Sequence, residues 1–127
     1  MSIVLNHTII PVTDKLAAAR FLADLLGLEI GAPVGPFIPL RVNDGLTLDF
    51  DDRHGAHPGH WAFLVDDEKF NTLLAHLARS PEIAYGSGHV GGWDRQINHL
   101  GGGRGVYVLD PDGHGYEFFT ADPSVPA

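Results

Sequence analysis

The chain is 127 residues long, with 16 acidic and 8 basic residues, a formal charge of −8 and no cysteine. That length predicts one domain, residues 1–127, whose core closes without staples. The acidic balance, with few and scattered Lys and Arg, argues against nucleic acid or an anionic membrane as partner. Without cysteine there is no thiolate nucleophile, so any bound metal must take nitrogen and oxygen ligands. The start MSIVLNHTII lacks the basic and long apolar stretches of a secretory signal, and no window approaches ~18 apolar residues, so a cytoplasmic protein is the expectation.

In chain order, Ile3 to Ile10 is rich in β-branched residues and stops at Pro11, which predicts a strand. Thr13 or Asp14 can cap a helix with Leu16, Ala19, Ala23 and Leu26 at helical spacing, and Gly27 ends it. Leu28–Ile30 reads as a short strand, Phe37–Val42 as another, Asn43-Asp44-Gly45 as a hairpin turn and Leu46–Phe50 as its return. The order β-α-β-β-β then recurs. Trp61–Val65 is a strand, and Asp66 or Asp67 opens a helix striped by Phe70, Leu73, Leu74 and Leu77. Glu82–Tyr85, Gly105–Leu109 and Tyr116–Thr120 supply the remaining strands. The two modules cover about 3–52 and 58–121.

Each half carries one histidine at its first strand, His7 or His60, and one carboxylate in its last, Asp49 or Glu117. In both halves the carboxylate lies four residues after a turn glycine, Gly45 or Gly113. A duplicated fold relates such positions by a pseudo-two-fold axis, which predicts that the four side chains converge. Two carboxylates sharing a cavity with two imidazoles are tolerable when a divalent cation compensates them, and imidazole with carboxylate is a ligand set for Fe(II), Mn, Ni or Zn. The second half is longer, and its extra residues lie in a glycine-rich stretch that also holds Trp93, Arg95, Asn98 and His99. A long irregular loop of that kind in a small domain points to function. His54, His57, His76 and His89 read as surface or loop histidines. His114 reads as a hairpin cap, and Asp110-Pro111-Asp112-Gly113 as turn chemistry.

These residues resemble the vicinal oxygen chelate superfamily, the group of glyoxalase I, fosfomycin and bleomycin resistance proteins, and extradiol dioxygenases. The matching pieces are Leu5-Asn6-His7, Gly59-His60-Trp61-Ala62-Phe63 and the run from Val106 to Glu117. The resemblance implies an α+β fold of two βαβββ modules forming a cupped, incompletely closed mixed sheet around a metal, with His7, His60 and Glu117 as ligands. The segment Ile97-Asn98-His99 with Tyr107, Asp110-Pro111, Gly113 and Glu117 fits the extradiol signature, which implies His99 and Tyr107 as catalytic groups. Asn98, Trp93 and Phe50 are then candidate substrate contacts, and Fe2+ is the favoured cofactor, with Mn2+, Ni2+, Zn2+ or Co2+ as alternatives. Asp49 stands where the glyoxalase type has a fourth ligand, so a glyoxalase-type lyase or isomerase is the second reading. A drug-binding resistance protein is the third. The partner is a small molecule, and a homodimer is the expected assembly.

Overall fold

The computed structural model describes residues 2–88 and 92–126; His89, read above as a loop histidine, lies outside the described residues. Its elements are β1 (His7–Pro11), α1 (Lys15–Leu26), β2 (Ile38–Asn43), β3 (Leu46–Asp51), β4 (His60–Leu64), α2 (Asp67–Ala78), β5 (Ala84–Gly86), β6 (Gly105–Leu109) and β7 (Gly115–Phe119). A short 3-10 turn spans Leu100–Gly102. The class is α+β: two helices with two open mixed sheets, of order β1-β3-β2 and β4-β7-β6-β5. The chain divides into two compact units, Met1–His57 and Pro58–Ala127.

In the first unit, β1 enters through residues 2–6, which lie outside the ladder although Thr47 N–H donates to Asn6 C=O at 2.9 Å. Asp14 caps α1, its carboxylate accepting from Leu16 N and Ala17 N, which satisfies two of the orphan amides at a helix start. Gly27 closes α1 in the left-handed region at φ 66°, a conformation a side chain would resist. The buried face of α1 carries Ala19, Leu22, Leu25 and Leu26. It packs over β2 and β3, where Ile38, Leu40, Leu48 and Phe50 are buried with Ile10 of β1. Each such aliphatic side chain contributes roughly 1.5–3 kcal/mol on burial. The strand predicted at Leu28–Ile30 does not form a ladder. Gly31 N–H reaches Pro39 C=O at 2.9 Å, and the Gly31–Pro36 run bends the chain away after that contact, because Pro33 and Pro36 have no N–H to extend it.

The second unit repeats the plan with one more strand. Asp66 caps α2 by accepting from Lys69 N at 2.7 Å. Phe70, Leu73 and Leu77 are fully buried on α2, as are Val106, Val108, Tyr116 and Phe118 on the sheet. Arg104 ties the start of β6 to α2, donating to Asn71 and Asp67 while lying over the Phe70 ring at 4.6 Å. The short strand read at Glu82–Tyr85 appears as β5, shifted one or two residues.

Register shows the duplication directly. β1 runs parallel to β3 with His7 opposite Thr47 and Ile9 opposite Asp49. β4 runs parallel to β7 with His60 opposite Gly115 and Ala62 opposite Glu117. In each unit the carboxylate therefore faces the residue two after the histidine. Side chains alternate across a strand, so the histidine and carboxylate share one sheet face while the core residues take the other.

Candidate functional site

In the second unit, His60 opens the edge strand β4 and Glu117 sits in the middle of β7. His60 Nε2 lies 3.1 Å from Glu117 Oε1, with the two side chains 50% and 9% exposed. Gly115 stands opposite His60. A Cβ there would come within 3.3 Å of His60 Nδ1, so the glycine leaves room for the imidazole. Tyr107 lies opposite Glu117 on β6, and its ring centroid is 6.1 Å from that of His60. Burial, the Glu117 charge and a hydrogen bond to that carboxylate all push the Tyr107 phenol above its ordinary value, so it stays protonated and acts as a donor. His60, Glu117 and Tyr107 thus form one cluster on three strands.

In the first unit, His7 is exposed at the start of β1 and Asp49 is half-buried on β3, on the same face and one register step along. His7 Nδ1 lies 2.9 Å from Asn6 Oδ1. An amide oxygen only accepts, so Nδ1 carries the proton and Nε2 of the neutral ring presents its lone pair. Orientation by a hydrogen bond from the far ring nitrogen is the usual arrangement of a metal-binding imidazole. Opposite Asp49 on β2 stands Pro39, at the position that Tyr107 holds opposite Glu117.

The donor set fits a divalent cation. Ligands at about 2.1 Å on neighbouring octahedral positions lie about 3.0 Å apart, close to the His60–Glu117 spacing. Glu117 is a buried carboxylate whose neighbours are an imidazole and a phenol, and a buried anion without a compensating cation is costly.

The loop between β5 and β6 is held by its own side chains. Asp94 accepts from Ser87 N, Ser87 Oγ and Gln96 N, and the bonds from Ser87 hold its carboxyl below the usual range. Arg95 adopts φ 57° and donates to the carbonyls of Ile83 and Leu77 while lying 4.5 Å over the Tyr85 ring. Asn98 pairs with Gly105 through both backbone groups. Its side chain donates to Ser87 C=O and accepts from Leu100 N, so its amide anchors the loop. His99 is exposed, with Nδ1 3.1 Å from Gly103 C=O. That carbonyl fixes the proton on Nδ1 and leaves Nε2 of the neutral ring as an acceptor. Trp93 is half-buried in the same loop.

Phe50 differs from its expected role as a substrate wall. It is completely buried, and alternation along β3 sets it on the face opposite Asp49. It fills the core of the first unit.

A second polar group ends the β6–β7 hairpin. Asp110, Asp112 and His114 bring one ligand atom each within 4.8 Å of one another. Asp110 accepts from Asp112 N and His114 N at 2.9 and 2.8 Å, which is the turn chemistry read from the sequence. Burial pushes the Asp110 carboxyl up. Nearby, burial first and then the charges of Asp110 and Asp112 push Tyr116 up, and its buried hydroxyl has no hydrogen-bond partner among the described residues. His114 is fully buried, more deeply placed than a hairpin cap requires. Its flanking Gly113 and Gly115, which let chain and ring pack closely, are the signal in the sequence.

Several solved structures are similar to this chain. One named Oxidase ChaP-H2 is 42% identical, with a TM-score of 0.89 and coverage of 100% of each chain. Oxidase ChaP-H1 is 40% identical, with a TM-score of 0.86 over 97% of this chain and 99% of that one. A glyoxalase/dioxygenase from Nostoc punctiforme is 25% identical, with a TM-score of 0.67 over 94% of this chain and 91% of that one. No family model and no curated protein matches the chain.

Proposed function

Since the chain belongs to the vicinal oxygen chelate superfamily, we propose that it is a divalent-metal-dependent enzyme, oxidising a small substrate that chelates the metal through two neighbouring oxygens, as extradiol dioxygenases do. The observation that carries this reading is the His60–Glu117 pair at 3.1 Å with Tyr107 bonded to the same carboxylate. The similarity to two proteins named oxidases supports it.

In this proposal the two modules act as a single domain, and His7, His60 and Glu117 hold the cation, with Asp49 as a fourth ligand or a hydrogen-bonding neighbour. Iron(II) is the favoured ion. When bound it supplies Lewis acidity toward both substrate oxygens and a position for O₂. The chain's own groups do the rest. The Tyr107 phenol, its hydrogen held by Glu117, accepts a hydrogen bond from a substrate hydroxyl through its oxygen, and His99 Nε2 accepts a hydroxyl proton. Trp93 forms a wall, and Asn98 keeps the loop that carries His99 against β6. The homodimer is part of the same proposal, with light scattering as its readout.

Anaerobic loading with Fe(II), followed by oxygen uptake on a panel of catechols and related aromatic diols, tests the reaction. Uptake that disappears in His60→Ala is the expected result, and no uptake with any substrate overturns the dioxygenase reading. Asp49 favours a second reading, because its register matches that of Glu117. Four protein ligands would suit isomerisation of an enediolate. Solvent proton exchange at the carbon beside a carbonyl, without oxygen uptake, identifies that activity.

A further inference from the structure

We infer that His114 is a positioning residue for the metal site: its Nδ1 holds the Pro58–Gly59 amide while the Gly115 amide holds the Gly59 carbonyl, so that His60 meets Glu117. The inference rests on the proposed ligand role of His60.

Gly59 immediately precedes His60, and both of its backbone polar groups are held by consecutive residues at the start of β7. Gly59 N–H donates to His114 Nδ1 at 3.1 Å, and Gly115 N–H donates to Gly59 C=O at 2.9 Å. An N–H can only donate, so Nδ1 of His114 must be unprotonated. Packing closes the arrangement. The Trp61 ring meets the His114 ring edge-on at 5.0 Å between centroids, and it lies so close to Gly59 that a Cβ there would sit 2.5 Å from it. Residues 59 and 61 are thereby fixed on either side of His60. His60 itself projects to the other face of the sheet, toward Glu117.

His114 is 0% exposed, so its ring is held in place by packing and presents Nδ1 to Gly59 in one fixed position. Removing the acceptor leaves the half-buried Gly59 amide without its partner, and the local answer is a rotation of the Pro58–Gly59 peptide about the residue that leads into His60. A donor pair spaced for neighbouring metal positions tolerates little such movement, because coordination and catalytic geometry must be kept within about 0.5 Å. Residues that orient a ligand typically change metal affinity 10–100-fold when replaced.

The test compares three substitutions by titrating metal-free protein with Co(II) alone, following its visible absorption, alongside thermal unfolding of the metal-free form. Asn carries Oδ1 where His carries Nδ1, so His114→Asn keeps the acceptor; affinity within about threefold of wild type is expected. His114→Leu keeps the bulk and loses the acceptor; a loss of roughly 10–100-fold in Co(II) affinity is expected, with an altered visible band. If the Leu variant fails to fold, His114→Gln serves instead, since its acceptor lies one bond further out and misses Gly59. Wild-type affinity in the Leu or Gln variant, or an Asn variant as weak as Leu, overturns the positioning role. His60→Ala is the control. If it binds Co(II) as wild type does, the ligand reading fails as well. If a Co(II) ion survives in His60→Ala and is lost on adding His114→Asn, His114 is itself a ligand, with Asp110 and Asp112, and the positioning role is overturned.

Discussion

The two halves repeat one another in register but not in chemistry. In the second, Glu117 is buried, lies beside His60 and takes a bond from Tyr107. In the first, His7 is exposed, Asp49 is half-buried and a proline stands where the second half has the tyrosine. Duplication preserved the positions of a histidine and a carboxylate while the residue facing the carboxylate diverged. The second half carries a preformed pair, and the first carries more open groups.

Replacing the carboxylates separates these roles most sharply. Glu117→Ala is expected to weaken metal binding by about 100-fold or more, and Asp49→Ala by about 10-fold, on the scale seen for ligands and their supporting groups. Metal content after dialysis measures both, and equal losses would break the asymmetry. Next come the cores. Leu22→Ala in the first unit and Leu73→Ala in the second should each cost about 2–5 kcal/mol in denaturant unfolding, because both side chains are fully buried. A single transition lowered by either variant would show that the units unfold together.

Helix caps give a smaller contrast. Asp14 receives two amides and Asp66 receives one, so Asp14→Ala should lie toward the upper end, and Asp66→Ala toward the lower end, of the roughly 0.5–2 kcal/mol typical of lost N-caps. The smallest effect is in pH dependence. The bonds from Arg53 to Asp51 lower its carboxyl to about 2 from 3.8. A carboxylate lowered in the folded state stabilises above its unfolded value, and that contribution is lost as pH falls through the folded one. Thermal unfolding should therefore show a loss between pH 4 and 2 that Asp51→Asn reduces. In the second half Asp110 is raised by burial, so its sign is opposite: its contribution falls as pH rises through its folded value. A common slope for Asp51→Asn and Asp110→Asn would contradict this.

The sequence made most of the fold legible because alternation, caps and turn residues are local signals. Asp14, Gly27 and Asp66 mark the helices where they occur, and Asn43 Oδ1 accepts from Gly45 N in the turn read from them. Leu28–Ile30 misled because an apolar triplet looks like a strand whether or not a partner lies in reach. The histidine–carboxylate pairs could be read from symmetry alone. Phe50 could not be excluded as a wall without knowing which parity of β3 faces the helix, although Asp49 beside it held that information. His114 was hidden by its position after a turn glycine, where a cap is the simplest reading. Its contact with Gly59 joins residues 55 apart in sequence, beyond any local pattern.

The proline opposite Asp49 has one further consequence. A pyrrolidine ring offers no hydroxyl, whereas the phenol across from Glu117 does, so one carboxylate has a facing donor of its own and the other faces an inert ring. The repeated architecture thereby holds two carboxylates of unlike character, and one residue pair sets the difference.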